Sequence, residues 1–293
     1  MTSSLPLFRA LLIGPLALVL MFGPASALEL DRPAVAPPKA AKSSCYRKLF
    51  CFHTAEAKNG IDAWVQALTD TELTFTMRTT QKNLIGPTRT DPVVLTRPGT
   101  IHLAKLRPKD RHSWRYYFKY TYHPGRPDTA QPATDALYQL PFPTGRRYKV
   151  SQGQKASSTH KKREAYAVDW NLRTGDPVHA ARDGRVVGAG GWSKSKKRGR
   201  GNFIWVRHTD GTYAWYLHLM KDGVVVRRGQ QIKTGQLIGY AGNTGKSSGP
   251  HLHFQVSVPT SGRYAFRTIP FRLQTSKGVV TKIKSGDLHQ RPK

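Results

Sequence analysis

The chain has 293 residues, which excludes a peptide too small to bury a core and leaves room for two domains. It carries 47 Lys and Arg residues against 17 Asp and Glu residues, a formal net charge of +30. Such a surface favours polyanions, namely nucleic acid, an anionic membrane face or an acidic cell-wall polymer, or it only keeps a secreted protein in solution. Charge alone does not choose among these partners.

The first 27 residues have the features of a secretory signal peptide. Arg9 precedes an apolar run over residues 10–22, and Ala25-Ser26-Ala27 matches the small-residue cleavage pattern. The apolar run is short for a bilayer span. We therefore expect cleavage after Ala27 and a periplasmic or extracellular protein, with an uncleaved membrane anchor as the alternative. Export argues against chromosomal DNA as the partner.

Residues 28–60 are predicted to form a linker rich in Ala, Pro and Lys, followed by a loop between two cysteines. The linker composition offers nothing that packs. Cys45 and Cys51 are the only cysteines. A local disulfide is reasonable in an oxidising compartment, and two unpaired thiols are the alternative.

Residues 61–130 are predicted to form a small β-sandwich. Apolar residues alternate with Thr over 73–77, as in a half-buried strand. Further short apolar runs follow at hairpin spacing, separated by Gly- and Pro-containing turns. The segment shows no catalytic constellation, and His102 and His112 are interpreted as surface residues.

Residues 137–275 are predicted to form an antiparallel, all-β second domain, and residues 276–293 a basic C-terminal tail. No helix of convincing length follows the signal segment. The alternating runs that we interpret as strands are 166–170, 184–188, 202–208 and 212–219. The charged stretch 193–201 is interpreted as a loop, either a solvated tip or a contact for an anionic substrate.

An H-x-H pair lies in the apolar run 248–256. Alternate side chains of a strand point to the same face, so His251 and His253 are expected to face one space while Leu252 and Phe254 enter a core. Two imidazoles on one face are a plausible start to a metal site. Two surface histidines on an amphipathic strand are the alternative that this stretch leaves open.

Several familiar hydrolase motifs are absent from the sequence. There is no H-E-x-x-H, no G-x-S-x-G and no P-loop, and the predicted second domain has no Cys. What remains is a group of chemically capable residues near strand ends: His160, Asp169, His218, His251 and His253.

Residues 137–258 resemble the lysostaphin/LytM-type zinc metallopeptidases, which cleave peptidoglycan peptides. The resemblance rests on stretches that occur in the family's order: 160–169, 176–187, 201–202, 216–219, 235–245 and 248–254. It covers somewhat under half of the chain. The first domain also resembles, loosely, the immunoglobulin-like domain that precedes some of these peptidases, where it either positions or shields the groove or acts as a spacer.

The resemblance implies a role for each candidate residue. It implies that His160, Asp169 and His253 bind zinc, and that His218 and His251 lie beside the metal as catalytic residues. Three protein ligands would leave the fourth tetrahedral position for water. His218 and His251 would then take the proton of that water and stabilise the developing oxyanion.

The sequence departs from the family pattern in the first motif. Eight residues separate His160 from Asp169, where the common form has three. His179 and His208 are therefore rivals for the place of His160, although their family counterparts are structural. Gln255 stands where the family often has Glu.

The function implied is that of an exported zinc endopeptidase hydrolysing peptidoglycan cross-bridges or stem peptides through a zinc-bound water. Peptidoglycan and anionic cell-envelope polymers are the expected partners, and a membrane only if the signal segment is uncleaved. The alternative is a non-catalytic wall-binding protein or amidase activator on the same fold. A nucleic-acid binder would explain the charge but not the histidines, and the sequence holds no nucleic-acid motif.

Overall fold

The computed structural model describes five segments of the chain: 42–46, 49–96, 99–156, 158–194 and 201–293. Their regular secondary structure is β-strand, and the one helical segment among them is a 3₁₀ turn at Lys162–Glu164. The predicted all-β, antiparallel class is confirmed. The predicted signal peptide, almost all of the linker and most of the 193–201 loop lie outside the described residues.

The first eight strands form two sheets, which together we call the first β unit. Their bounds are β1 Lys42–Tyr46, β2 Phe50–Ala57, β3 Gly60–Ala67, β4 Leu73–Lys82, β5 Leu84–Ile85, β6 Val93–Leu95, β7 Gly99–Pro108 and β8 Arg115–Pro124. The strand orders are β1-β2-β3-β7-β5 and β6-β4-β8. The apolar residues Leu73, Phe75 and Met77 of β4 are buried, but Thr74 and Thr76 between them are buried as well, so this part of the strand is covered on both faces and is not half-buried as predicted. The immunoglobulin-like character of this unit stays a prediction.

A disulfide joins Cys45 of β1 to Cys51 of β2. The two residues are opposite each other in the antiparallel register of these strands. The bond closes a loop of only a few residues, so its stabilising effect is confined to this hairpin.

The remaining fourteen strands form what we call the second β unit. Their bounds are β9 Leu137–Gln139, β10 Arg147–Gln152, β11 Val168–Trp170, β12 Pro177–His179, β13 Gly184–Gly190, β14 Asn202–Arg207, β15 Tyr213–Leu219, β16 Gln231–Ile232, β17 Leu237–Tyr240, β18 Leu252–Pro259, β19 Phe266–Thr268, β20 Arg272–Thr275, β21 Gly278–Val280 and β22 Leu288–Gln290. The main sheet has the order β16-β13-β14-β15-β18-β11-β10-β22, and β19 pairs with β18. Two small sheets, β12-β17 and β21-β20-β9, complete the unit.

The two faces of the main sheet carry different side chains. Alternation directs Val168, Tyr216 and Phe254 into one apolar core. The opposite face, here called the outer face, carries Asp169 and His253 on neighbouring strands. The same pattern that buries one face therefore gathers the polar residues on the other.

The first β unit covers part of this outer face. Phe203, Trp205 and Trp215 project from β14 and β15 into a core cluster that they share with Phe50 and Phe75 of the first β unit. Apolar burial across this contact contributes roughly 25 cal/mol for each Å² removed from water. The first β unit is thus packed onto the same face that bears Asp169 and His253.

The residues predicted as a basic tail return to the sheet. Strand β22 pairs with β10, and the nearby Arg291 is only 8% exposed. Its guanidinium donates a hydrogen bond of 2.8 Å to the carbonyl oxygen of Phe142. The domain boundaries themselves stay predictions. Within the described residues, no helix is long and apolar enough to cross a membrane.

Candidate metal centre

Two adjacent strands bring Asp169 and His253 face to face. β11 and β18 are antiparallel, and Asp169 is directly opposite His253 in their register. The Nδ1 atom of His253 lies 2.8 Å from Oδ1 of Asp169. Because Leu252 and Phe254 are buried in the core on the other face, the strand cannot slip without exposing them.

His160 reaches this pair from a loop. Its side chain is fully buried, and its Nε2 atom lies 3.3 Å from Oδ2 of Asp169. Its Nδ1–H donates a hydrogen bond of 2.9 Å to the carbonyl oxygen of Gly153. Ligand atoms of His160, Asp169 and His253 all lie within 4.8 Å of one another, a spacing that a single metal ion fits.

The charges of this cluster are strongly coupled. Burial opposes ionisation of Asp169, but the imidazoles of His253 and His160 outweigh it and hold the pKa of its carboxyl well below the usual range. Burial also disfavours charge on His253, yet the Asp169 carboxylate raises the pKa of the imidazole. The carboxylate thus stays ionised and attracts positive charge, either a proton on His253 or a metal ion.

His218 enters the site through a distortion of β15. The register between β14 and β15 shifts between Asn202 and Phe203, and His218 has a backbone φ of 65°. A bulge re-aims a side chain, and left-handed backbone at a residue other than Gly is costly enough to need support. That support includes the 2.7 Å hydrogen bond from Nδ1–H of His218 to the carbonyl oxygen of Thr244.

The electrostatics of His218 keep it neutral. Burial is the main cause, and the neighbouring His253 and His251 add to it, lowering the pKa of His218 to about 3. Its ring lies 4.7 Å from that of His251, measured between centroids. At neutral pH its Nε2 atom therefore offers a lone pair.

His251 lies at the open side of the cluster and is partly exposed. Its Nδ1–H donates a 2.9 Å hydrogen bond to the carbonyl oxygen of Gly249, and its Nε2 atom lies 4.0 Å from Oδ1 of Asp169. Both members of the H-x-H pair therefore reach the same carboxylate, as expected for one face of a strand.

The hydrogen bonds assign a tautomer to each imidazole. In His160, His218 and His251 the Nδ1–H is held by a backbone carbonyl, which leaves Nε2 unprotonated. In His253 the Nε2–H is held by Oε1 of Gln255 at 2.9 Å, so Nδ1, which shares a proton with the Asp169 carboxylate, is the nitrogen that faces the cluster. Carbonyl partners of this kind orient metal-binding and catalytic histidines.

The donor set fits a metal ion. Nε2 of His160 is buried with no hydrogen-bond partner, a costly state for an imidazole nitrogen unless another group uses its lone pair. Two imidazoles and one carboxylate are also a ligand set that zinc accepts, and three protein ligands are typical of its catalytic sites.

Sequence reasoning missed the residues that orient the cluster. Gly153 and Thr244 act through backbone carbonyl oxygens, which carry no side-chain signal. In the sequence, Gln255 stands out only as a departure from the family pattern, although its position two residues after His253 puts both side chains on one face of β18. Periodicity could therefore have identified Gln255.

The other histidines singled out in the sequence lie elsewhere. His102 pairs with Asp62 at 2.9 Å, and His112 pairs with Asp110 in an exposed turn of the first β unit. Nδ1 of His179 lies 3.4 Å from Arg291, and His208 is buried against the ring of Tyr138. None of these four belongs to the His160, Asp169 and His253 group, the one such cluster among the described residues.

The comparisons with known proteins point to one class of hydrolase. The profile of Peptidase family M23 matches residues 163–264. Glycyl-glycine endopeptidase ALE-1 of Staphylococcus capitis is 46% identical over 91 residues, or 31% of this chain and 24% of ALE-1. Peptidoglycan DD-endopeptidase ShyA of Vibrio cholerae is 33% identical over 122 residues, or 38% of this chain and 27% of ShyA. The solved catalytic domain of lysostaphin from Staphylococcus simulans aligns at 32% identity over 42% of this chain and 87% of that one, with a TM-score of 0.32.

The chain therefore contains a domain of Peptidase family M23, homologous to the endopeptidases ALE-1, ShyA and lysostaphin. The matched segments span about a quarter of the length of ALE-1 and ShyA. The family match includes Asp169, His218, His251 and His253, but it begins at Arg163 and so leaves out His160. The place of His160 rests on the geometry of this chain.

Proposed function

We propose that this chain is an exported zinc metalloendopeptidase that hydrolyses peptide bonds of bacterial peptidoglycan, in a cross-bridge or a stem peptide. The observation that carries the proposal is the convergence of His160, Asp169 and His253 within a domain of Peptidase family M23. By their names, the relative ALE-1 is a glycyl-glycine endopeptidase and the relative ShyA is a peptidoglycan DD-endopeptidase. Peptidoglycan is accordingly the substrate class that we propose.

The ligands that we propose are Nε2 of His160, a carboxylate oxygen of Asp169 and Nδ1 of His253. His160 already presents an unprotonated nitrogen, whereas His253 must give up the Nδ1 proton that it shares with Asp169. A zinc ion bound there would supply a Lewis acid that polarises the scissile carbonyl and lowers the pKa of a water towards about 7.

The proposed catalytic histidines act through their Nε2 atoms. In the assigned tautomers both His218 and His251 are hydrogen-bond acceptors towards the cluster, so they orient an attacking water and can take its proton. His218 is a weak base, because burial and the adjacent imidazoles lower its pKa to about 3. Once protonated, His251 becomes a donor to the developing oxyanion or to the leaving amine.

The test is digestion of purified sacculi with the mature protein, with and without a chelator, followed by mass analysis of the muropeptides. We expect loss of cross-linked dimers, inhibition by the chelator and recovery on addition of zinc. His251→Ala should retain zinc but lose hydrolysis, whereas Asp169→Ala should lose both.

Other product patterns would contradict the proposal. Release of peptide-free glycan strands would assign an amidase. Unchanged sacculi with intact zinc binding would assign the wall-binding or activator function instead. Full hydrolysis by Asp169→Ala would refute the proposed centre itself.

A further inference from the structure

A second concave site lies where the two β units meet. A cavity of about 390 Å³ is lined by residues 70–72 and 124–125 of the first β unit and by residues of β13, β14, β15 and the loop before β16 of the second. Its basic lining residues are Arg185, Arg207 and Arg228. None of the proposed catalytic or metal-binding residues lines this cavity.

Two of these arginines are placed against each other. Arg185 and Arg207 are directly opposite in the antiparallel register of β13 and β14, so their side chains leave the same face of the sheet. Like charges at such positions are destabilising. Moreover, the guanidinium groups of Arg185, Arg207 and Arg228 have no hydrogen bond or ion pair anywhere in the part of the chain that the structure describes.

A tyrosine lines this cavity together with the three arginines. Tyr213 is 3% exposed and lines the cavity, and its hydroxyl has no hydrogen-bond partner among the described residues. Burial raises its pKa to about 12, so the phenol is a proton donor at neutral pH. A Cβ at Gly125 would stand 2.2 Å from that hydroxyl, so glycine at this position lets the end of the Tyr213 side chain pack against the backbone.

The net positive charge of the cavity favours a ligand with two negative charges. Two carboxylates, Asp70 and Glu72, also line it. Glu72 already pairs with Arg126 at 2.9 Å, which leaves Asp70 against three guanidinium groups and a net charge of about +2. Guanidinium groups bind phosphate and carboxylate through paired hydrogen bonds.

We propose that this cavity, which we call the seam site, binds a dianionic phosphate group through Arg185, Arg207, Arg228 and the hydroxyl of Tyr213. Four donor groups, three from neighbouring strands and one from a loop, suit a tetrahedral group with three or more acceptor oxygens better than a planar carboxylate with two. Along β15, Tyr213 and His218 are five residues apart, so the seam site lies about 17 Å from the metal centre. The site would let the chain hold a phosphate-bearing envelope molecule independently of peptide hydrolysis.

The test is calorimetric titration of the mature protein with inorganic phosphate at low ionic strength and pH 8. The variants are Arg185→Gln/Arg207→Gln and Tyr213→Phe. The matched control is Arg115→Gln, which removes an exposed, unpaired arginine of the first β unit. We expect the double variant to bind phosphate at least about a hundredfold more weakly and Tyr213→Phe about fivefold more weakly, because charge-assisted bonds exceed neutral ones. Arg115→Gln should match the wild type.

Thermal unfolding provides a second measurement. It distinguishes arginines that bind phosphate from arginines that only stabilise the contact between the two β units. Without phosphate, the double variant should unfold at the same or a higher temperature than the wild type, because the like-charge pair is removed. With phosphate, the wild type and Arg115→Gln should gain stability equally, Tyr213→Phe should gain less, and the double variant should gain almost none. Zinc content and sacculus hydrolysis should be unchanged in all variants, so failure here and failure of the proposed function are distinguishable.

Three results would overturn the seam site. The first is equal weakening of phosphate binding by Arg115→Gln, which would mean unspecific attraction to a cationic surface. The second is destabilisation of the double variant without phosphate, which would mean that the arginines pair with Asp70 and Glu72. The third is equal affinity for succinate, which would refute selection of a phosphate group; glycerol 1-phosphate, by contrast, should bind as inorganic phosphate does.

Discussion

Two buried histidines of this protein look alike until their surroundings are compared. His160 is 0% exposed and His208 is 3% exposed. Each donates its Nδ1–H to a backbone carbonyl, that of Gly153 for His160 and that of Asp183 for His208. In each, Nε2 is buried with no hydrogen-bond partner.

The difference lies in what faces the free nitrogen. Nε2 of His160 lies 3.3 Å from the Asp169 carboxylate, beside a second imidazole. His208 instead packs edge-on against Tyr138, near an Arg182–Asp210 ion pair of 2.7 Å whose charges largely cancel. An unpaired imidazole nitrogen is therefore not by itself a metal ligand. A converging second and third donor make it one.

The largest expected effect comes from removing the metal-binding groups that face His160 and have no counterpart near His208. Asp169→Ala and His253→Ala should each weaken zinc binding by more than the 10–100-fold that is typical of residues outside the ligand set. Hydrolysis of sacculi should fall below detection. Equilibrium dialysis with zinc measures the first effect and muropeptide analysis the second; wild-type zinc affinity in either variant would refute the assignment.

The positions of Asp169 and His253, which lie on strands, were predictable from sequence patterns. The position of His160, which lies in a loop, was predictable only from the family resemblance. Alternation on β18 predicts that His253 lies opposite the apolar core, and register then places Asp169 beside it. His160 has no such constraint, because its position depends on the loop of eight residues before Asp169 and on one hydrogen bond to the backbone carbonyl of Gly153. The packing of the first β unit onto the outer face was also beyond local patterns, since the aromatic residues of β14 and β15 do not reveal what covers them.

The next test compares the two histidines directly. His160→Ala should lose zinc binding and hydrolysis almost as fully as Asp169→Ala, because it removes a donor. His208→Ala should retain stoichiometric zinc while losing some stability to the cavity that it leaves. Zinc retention by His160→Ala would refute His160 as a ligand. Zinc loss by a folded His208→Ala would mean that His208 takes part in metal binding.

Acid should reveal His208 as an inert, buried imidazole. Burial lowers its pKa to about 4, below the ordinary value of 6.5. Between pH 6.5 and 4 the unfolded chain therefore binds a proton that the folded protein does not, and stability falls with falling pH. This one group should cost about 3 kcal/mol by pH 4.

The measurement is urea unfolding of the wild type and His208→Gln at pH 7 and pH 4.5, each with chelator to remove metal linkage. The stability difference between the two proteins should narrow, or change sign in favour of the variant, as the pH falls. A difference that is independent of pH would mean that His208 titrates normally in the folded state.

Gln255 allows a finer change within the metal centre. Its Oε1 atom holds the Nε2–H of His253, so Gln255→Leu keeps the volume but leaves that donor without a partner. We expect zinc affinity to fall about 10–100-fold. Gln255→Glu keeps an acceptor at the same place and should preserve zinc binding; equal loss in both variants would indicate that shape, not hydrogen bonding, matters here.

The smallest effect concerns the support of the His160 loop. The N–H of Gly153 donates a 2.9 Å hydrogen bond to Oγ of Ser285, a residue from the segment that sequence patterns indicated to be a tail. A Cβ at Gly153 would stand 2.5 Å from the carbonyl oxygen of Ile283, so this loop and the C-terminal segment are in close contact.

Ser285→Ala should lower the free energy of unfolding by about 1 kcal/mol or less, because the serine is exposed and water can replace its hydroxyl. Zinc affinity should fall only severalfold, with Ser276→Ala, an exposed serine of the same segment, as the control. If both variants left zinc affinity unchanged, the C-terminal segment would have no part in holding His160, and the loop would owe its position to its own packing.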